Sequence, residues 1–277
     1  MKEASKAMYW REKQVLVTGG GSGIGREMVV QLHAMGAKVA TATLDQGELD
    51  SLQAELTGGP GEFVPIQMDL TTDDAIDTLM QRLDEQDFSV EVLVNNAGTG
   101  LLGNHTELDT RSVRKALTLN IQVVTELASV VARRMIEAGV EGHILNVASI
   151  GGYVPVPKLA AYSGSKHYVI AFTHALADEL APHGIHVGML CPGITRTKIY
   201  DAMGLSSDNH RRGSISSIAD LFAMDAGQVA RCGIRAIEKR QRVALPGFNK
   251  VIPASSLLPQ QLVSRILQGV VGNRSSR

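Results

Sequence analysis

Between residues 14 and 245 short apolar runs rich in β-forming residues alternate with stretches of helical periodicity, and this alternation decides the class of fold. Residues 14–18 (QVLVT) predict a strand; a glycine cluster follows, then an apolar-periodic stretch over 24–35 that predicts a helix. The pattern repeats with strands predicted at 37–42, 62–68, 91–94, 143–147, 185–190 and 242–245. Helices are predicted at 46–56, 72–85, 110–120, 121–138, 160–181 and 227–240. Strands this apolar, each separated from the next by a helix, belong in a parallel sheet covered on both faces. The expectation is one α/β domain built on a doubly wound parallel sheet of about seven strands. Residues 195–222 interrupt the rhythm with scattered Gly and Ser, and long connections of this kind inside compact domains serve as lids or binding loops.

Lys plus Arg at 27 nearly cancel Asp plus Glu at 28, leaving a formal charge of −1, so no broad cationic field exists to attract nucleic acid. The two cysteines, Cys191 and Cys232, form neither a CxxC pair nor a metal spacing and fit a reducing compartment. His105, His167, His183, His186 and His210 show no spacing such as HExxH, so no metal is assigned. The first dozen residues carry charge throughout and lack a secretory apolar run. The fairly apolar stretch 251–271 is broken by Pro253, Pro259, Ser255, Ser256, Gln260, Gln261 and Arg265, which argues against a membrane span. A cytoplasmic protein is expected.

Thr18-Gly19-Gly20-Gly21-Ser22-Gly23-Ile24-Gly25 lies between the first strand and helix, a setting in which glycines let backbone amides approach a pyrophosphate while the helix N-terminus favours its charge. Asp69 ends the third strand, where a carboxylate accepts from an adenine amino group or caps the next helix. Asn95-Asn96-Ala97-Gly98 follows the fourth strand with small and amide residues at the sheet edge. Tyr162 and Lys166 stand four apart in a predicted helix and so share a face. A phenol near its ordinary pKa of about 10 is a poor acid–base catalyst at neutral pH, and a neighbouring ammonium lowers that pKa.

These ordered elements resemble the short-chain dehydrogenase/reductases, oxidoreductases that use a nicotinamide dinucleotide, over about 15–197. The TGxxxGxG motif is matched by Thr18 to Gly25, the adenine-side acid by Asp69 and NNAG by Asn95 to Gly98. The active-site Asn is matched by Asn120, the Ser and YxxxK pattern by Ser149 with Tyr162 and Lys166, and the nicotinamide-side segment by Pro192-Gly193-Ile194 with Thr197. The resemblance implies a Rossmann-type catalytic domain over 13–250, with a substrate loop at about 195–222. An N-terminal extension (1–12) precedes it and a C-terminal helical tail (251–277) follows. It also implies that Thr18, Gly19, Gly21, Ser22, Gly23, Ile24, Gly25, Thr43, Leu44, Asp45, Asp69, Leu70, Asn96, Ala97, Gly98, Tyr162, Lys166, Pro192, Gly193, Ile194 and Thr197 contact the cofactor. In the implied mechanism Tyr162 exchanges a proton with the substrate oxygen, which Ser149 holds. Lys166 lowers the phenol pKa and binds the nicotinamide ribose, and Asn120 supports a proton-supplying water chain.

Relatives that prefer NADP place Arg or Lys after the second strand or beside the loop glycines, whereas those that prefer NAD place an acid at the strand end. Here the acid position is Thr43, the arginine position Leu44 and the loop position Ser22, with Asp45, Glu48 and Asp50 following. A 2′-phosphate beside Asp45 without a cation is unfavourable, so the cofactor, NAD or NADP, leans toward NAD. Arg26 is placed to reach round from the first helix.

Around the reactive pair stand Ile150, Gly151, Gly152, Tyr153, Val154, Pro155, Val156 and Leu159, with Leu101 and Leu102 after the NNAG turn. These mostly apolar residues suit a lipophilic ketone or alcohol, or else core packing. Two other readings stay open. One is 3-oxoacyl-thioester reduction, for which Arg133 and Arg134 are the cationic candidates. The other is a non-catalytic dinucleotide-binding protein on the same scaffold. The resemblance further implies a homodimer or homotetramer formed through the helices at 110–138 and 160–181.

Overall fold

A computed structural model of the chain describes residues 9–195 and 223–247. The strands are β1 (Gln14–Thr18), β2 (Lys38–Thr43), β3 (Glu62–Gln67), β4 (Val92–Asn95), β5 (His143–Val147), β6 (His186–Leu190) and β7 (Val243–Ala244). All pair in parallel in the order β3-β2-β1-β4-β5-β6-β7. The helices are α1 (Gly23–Ala34), α2 (Gln46–Leu56), α3 (Ala75–Asp84), α4 (Thr110–Leu117), α5 (Val123–Glu137), α6 (Ala160–Leu180) and α7 (Ala226–Glu238). The expected doubly wound sheet of seven strands is therefore present. The predicted loop beyond Thr195, the tail at 251–277 and Thr197 lie outside the described residues. Among the described residues no helix is long and apolar enough to cross a membrane.

Strand alternation assigns the two faces of the sheet. Leu16 of β1 joins Leu93, Ile144 and Val187 in a core sealed by Leu79 and Leu83 of α3, Leu127 and Val131 of α5, and Ala177 of α6. Val15 and Val17 point the opposite way, into a core sealed by Met28 and Leu32 of α1, Leu52 of α2, and Val229 and Ile234 of α7. Burial on both faces is why these strands carry no polar stripe.

Residues 110–138, expected as two helices, form one rod interrupted by a single π-helical turn at Thr118–Gln122. The extra residue in that turn shifts the phase of α5 relative to α4. Helix α3 starts at Ala75, later than expected, because Asp69 and Thr71 close a local turn first.

Trp10 is fully buried against the α1/α7 layer, and its indole N–H donates to Glu238 Oε1 at 3.0 Å. Beside it, the Tyr9 hydroxyl lies 3.2 Å from Nε2 of His143, whose ring is 5.7 Å from that of His186. Burial first, then the neighbouring His186, Arg240 and Lys13, takes His143 from the usual 6.5 to about 4. The neutral imidazole is thus the folded form. Between pH 6.5 and 4 the unfolded chain binds a proton that the folded chain does not, so stability rises with pH across that window. Acidification through it is expected to cost up to roughly 3 kcal/mol at this site. Chemical denaturation of His143→Leu at successive pH values should show a flatter slope there; an unchanged slope would refute the assignment.

Candidate active site

The carboxyl ends of β1, β4, β5 and β6 lie along one edge of the sheet, and the order of connections reverses between β1 and β4, so the crevice opens there. The loop after β1 is cut to fit against the loop after β4. Gly19 has φ +64°, and a Cβ on it would come within 2.9 Å of Ala97 Cα; a Cβ on Gly25 would overlap Asn96 Nδ2 and Gly19 O. Thr18 Oγ1 accepts from the backbone N–H of Asn96 and of Ala97, both at 3.0 Å. Asn96 Nδ2 donates back to Thr18 O at 2.9 Å and Gly19 O at 3.1 Å. Thr18 and Asn96 thus staple the two loops to each other.

Ser22 is the N-cap of α1 but makes no side-chain cap bond, and the first turn holds no acid. Free N–H groups and the positive end of the helix therefore face the crevice behind a floor of glycines, an arrangement that fits a pyrophosphate. Ile24 packs its side chain toward the core, and Leu70 is buried, so only its backbone is available to a ligand.

At the end of β2 Thr43 is half-buried, and Leu44 is 60% exposed. Asp45 caps α2, accepting from the N–H of Gly47 at 2.8 Å and of Glu48 at 3.3 Å. Arg26, considered above as a phosphate partner, is tied to Glu55 at 2.6 Å and Ser51 at 3.1 Å. Asp69 accepts from Thr71 N–H and Oγ1 through one oxygen and from Lys115 Nζ, 2.8 Å away, through the other. Burial acts to raise this carboxyl, but the bonds from Lys115 and Thr71 outweigh it and bring the pKa down to about 2.

The reactive residues converge on the next part of the crevice. Ser149, after β5, accepts from Gly151 N–H at 3.1 Å, and a Cβ on Gly151 would lie 3.4 Å from Ser149 Oγ and 3.7 Å from Tyr162 Cε1. Tyr162 and Lys166 share a face of α6, with Nζ 5.9 Å from the ring centroid. The buried Nζ donates to Val147 O at 2.8 Å. Asn120, in the π-helical turn and 1% exposed, accepts from Thr99 N–H at 2.9 Å and donates to Thr99 O at 2.8 Å and Ser165 Oγ at 3.0 Å. Ser165 in turn donates to Tyr162 O at 2.7 Å. A Cβ on Gly98 would stand 3.1 Å from Asn120 Oδ1 and 3.4 Å from Lys166 Nζ, so this glycine holds open the space between them.

Burial pushes the Tyr162 phenol up, opposed by the Ser149 side chain. The Lys166 ammonium is directed at the Val147 carbonyl, and burial, partly countered by Cys191, lowers its own pKa to about 8, which leaves it mostly charged at neutral pH.

Pro192 O accepts from Ile150 N–H at 2.9 Å, linking the β6 segment to the Ser149 loop; Ile194 is exposed. The predicted cleft walls meet where Gly103 N–H donates to Lys158 O at 2.9 Å. Tyr153 packs instead against Val124, Ala148 and Cys191. Arg134 is bound through both terminal nitrogens to Asp84, at 2.6 and 3.0 Å. The sequence reading missed Ser165 and Lys115. Ser165 carried a signal in its spacing of three from Tyr162, whereas nothing in the sequence joined Lys115 to Asp69.

The model of the short chain dehydrogenase family matches residues 13–206. The chain is 36% identical to carbonyl reductase [NADPH] 2 of Sus scrofa, over 70% of this chain and 74% of that one. A short-chain dehydrogenase from Sphingobium yanoikuyae in complex with NADPH superposes with a TM-score of 0.77 at 25% identity, covering 96% of this chain and 98% of that one. A 4-hydroxyisoleucine dehydrogenase complexed with NADH does so with a TM-score of 0.74 at 25% identity, covering 86% and 98%. The chain also matches the probable oxidoreductase EphD of Mycobacterium tuberculosis at 29% identity; 92% of this chain spans only 45% of that protein's length. With the glycine cradle, the Ser149, Tyr162 and Lys166 cluster and a family match over most of its length, the chain belongs to the short-chain dehydrogenases.

Proposed function

We propose that the chain is an NAD(P)-dependent oxidoreductase interconverting a carbonyl and an alcohol on a lipophilic small molecule. The observation that carries this reading is the convergence of Ser149 and Tyr162 beside Gly151, with Lys166 and Asn120 flanking Gly98, all at the carboxyl edge of the sheet. The residues from Gly19 to Gly25 would hold the dinucleotide pyrophosphate, Asp69 and Leu70 the adenine side, and Ala97, Gly98 and Pro192 to Ile194 the nicotinamide side. When bound, the dinucleotide supplies or accepts the hydride.

The remaining chemistry belongs to the side chains. Ser149 Oγ holds the substrate oxygen, and Tyr162 passes a proton to it in reduction or removes one in oxidation. Lys166, whose Nζ lies 5.9 Å from the Tyr162 ring centroid, would bind the nicotinamide ribose. Asn120, pinned to Thr99 and Ser165, positions the start of α6 through the Tyr162 carbonyl.

The similarity to a carbonyl reductase supports the reduction of a ketone, and Leu101, Leu102, Val154 and Val156 support an apolar one. Of the two cationic candidates for thioester reduction, Arg134 is engaged by Asp84 and Arg133 is exposed. A homodimer or homotetramer is supported by the α5/α6 face, where Tyr168 stacks on Phe172 and stays 38% exposed. Assays of aromatic, aliphatic and cyclic ketones with each reduced dinucleotide, followed by nicotinamide absorbance, should give turnover with apolar ketones. Dinucleotide binding without turnover of any carbonyl or alcohol would favour the non-catalytic reading.

A further inference from the structure

We propose that His143 and His186 form a two-histidine site for a late transition-metal ion, copper(I) ahead of zinc, at the edge of the sheet opposite the dinucleotide crevice. They are the first residues of β5 and β6 and stand paired in the parallel register, so both side chains leave the same face at the amino ends of the strands. No local spacing announces such a pair, because strand pairing makes it. Each ring has one nitrogen engaged and one bare. Nε2 of His143 lies 3.2 Å from the Tyr9 hydroxyl, and in the tautomer that donates Nε2–H to that oxygen the lone pair of Nδ1 is free. His186 shares a hydrogen bond with the backbone of Arg240, and because its Nε2 has no partner the bond falls to Nδ1. Nδ1 of His143 and Nε2 of His186 are thus buried with no hydrogen-bond partner among the described residues, although both rings line one small cavity.

Buried polar atoms without partners are uncommon and costly, and two on adjacent rings point to a shared ligand. An outer partner on one nitrogen with a lone pair on the other is the arrangement in which histidine binds metals. The ring centroids are 5.7 Å apart. Metal–nitrogen bonds of about 2.0–2.1 Å set two imidazoles that share one ion roughly 5–6.5 Å apart between centroids, so the pair is already at chelating distance. Gly188 keeps room beside it: a Cβ there would lie 3.4 Å from His186 Cε1 and 2.5 Å from Gln241 O. Exposed Gln241 marks the way in from solvent, where further ligands of the ion would sit. Lys13 and Arg240 act on His143, with Glu141 opposing them, and Arg240 and Arg242 act on His186. This surplus of positive charge opposes a dication more than a monocation, and imidazole suits copper as well as zinc, so copper(I) is the better occupant.

Competition between the full chain and bicinchoninate for copper(I), run without oxygen and with ascorbate as reductant, tests the site, alongside calorimetric titration with Zn²⁺. The unmodified chain should take up a single equivalent of copper(I) with a Kd of about 1 μM or below, and hold Zn²⁺ at least about tenfold more weakly. His143→Gln and His186→Gln should each weaken copper(I) binding by about 30-fold or more. Tyr9→Phe keeps both ligands and removes only the outer hydroxyl, and should weaken it by about tenfold. Circular dichroism and thermal melting report whether each variant folds; should either histidine variant fail to fold, Tyr9→Phe decides, and unchanged affinity in it overturns the proposal. No uptake of copper(I), uptake unmoved by both histidine variants, or tighter binding of Zn²⁺ than of copper(I) would overturn it as well.

Discussion

Tyr162→Phe is expected to lower kcat about 10³-fold or more while leaving dinucleotide affinity within a few-fold of the unmodified chain. The asymmetry follows from which contacts the hydroxyl makes. Ser165 binds the Tyr162 backbone carbonyl, Lys166 is held by Val147 O, and Asn120 is held by Thr99, so the change removes none of these bonds. What disappears is the hydroxyl beside Ser149 that is proposed above to exchange a proton with the substrate oxygen. Steady-state turnover with a competent ketone, paired with fluorescence titration of the dinucleotide, separates the two effects. Turnover within tenfold of the unmodified chain would remove Tyr162 from the chemistry, and a parallel loss of affinity would make it a binding residue.

A second large effect is expected at Gly25. In Gly25→Val the first side-chain carbon would collide with Asn96 Nδ2 and Gly19 O, the same atoms whose hydrogen bond joins the two loops. Relief requires the loops to separate, which disorders the amides facing the pyrophosphate. We expect dinucleotide affinity to fall by about 100-fold and stability by roughly 1–3 kcal/mol, the usual range for overpacking. Gly164 supplies the contrast, for it is exposed within α6 and a Cβ added there would meet nothing within 4 Å. Gly164→Ala should therefore leave stability unchanged or raise it by up to about 1 kcal/mol. Thermal denaturation and dinucleotide titration of both variants measure the difference; equal behaviour would show that the loop junction tolerates a side chain.

Much of this could be read from residue order because local and global preferences agree. The bounds of β1, α2 and β5 coincide with those expected, since in each a periodic apolar run ends at a glycine cluster, a capping acid or a polar turn. The proximity of Tyr162 and Lys166 was legible for a related reason: a spacing of four on a helix dictates a shared face. What the order of residues did not specify was direction over distance. Lys166 was correctly placed beside Tyr162, but the aim of its Nζ depends on a carbonyl 19 residues away in β5. Asp45 and Glu48 are three residues apart, and only the way α2 packs beside Gly21 leaves Asp45 as the helix cap and brings Glu48 against the glycine loop. The pairing of Lys115 with Asp69 joins residues 46 apart through the tertiary fold, beyond the reach of any local pattern.

The π-helical turn at Thr118–Gln122 makes the length of this segment as consequential as its composition. A regular helix advances about 100° per residue and a π-helical turn holds about one residue more per turn, so converting this stretch to i→i−4 bonding at constant length would swing one half of the rod by about a quarter revolution. Either Asn120 would turn away from Thr99 and Ser165, or Val124, Leu127 and Val131 would leave the sheet they cover. The irregularity thus works as a rotational spacer between a hydrophobic layer and a polar anchor.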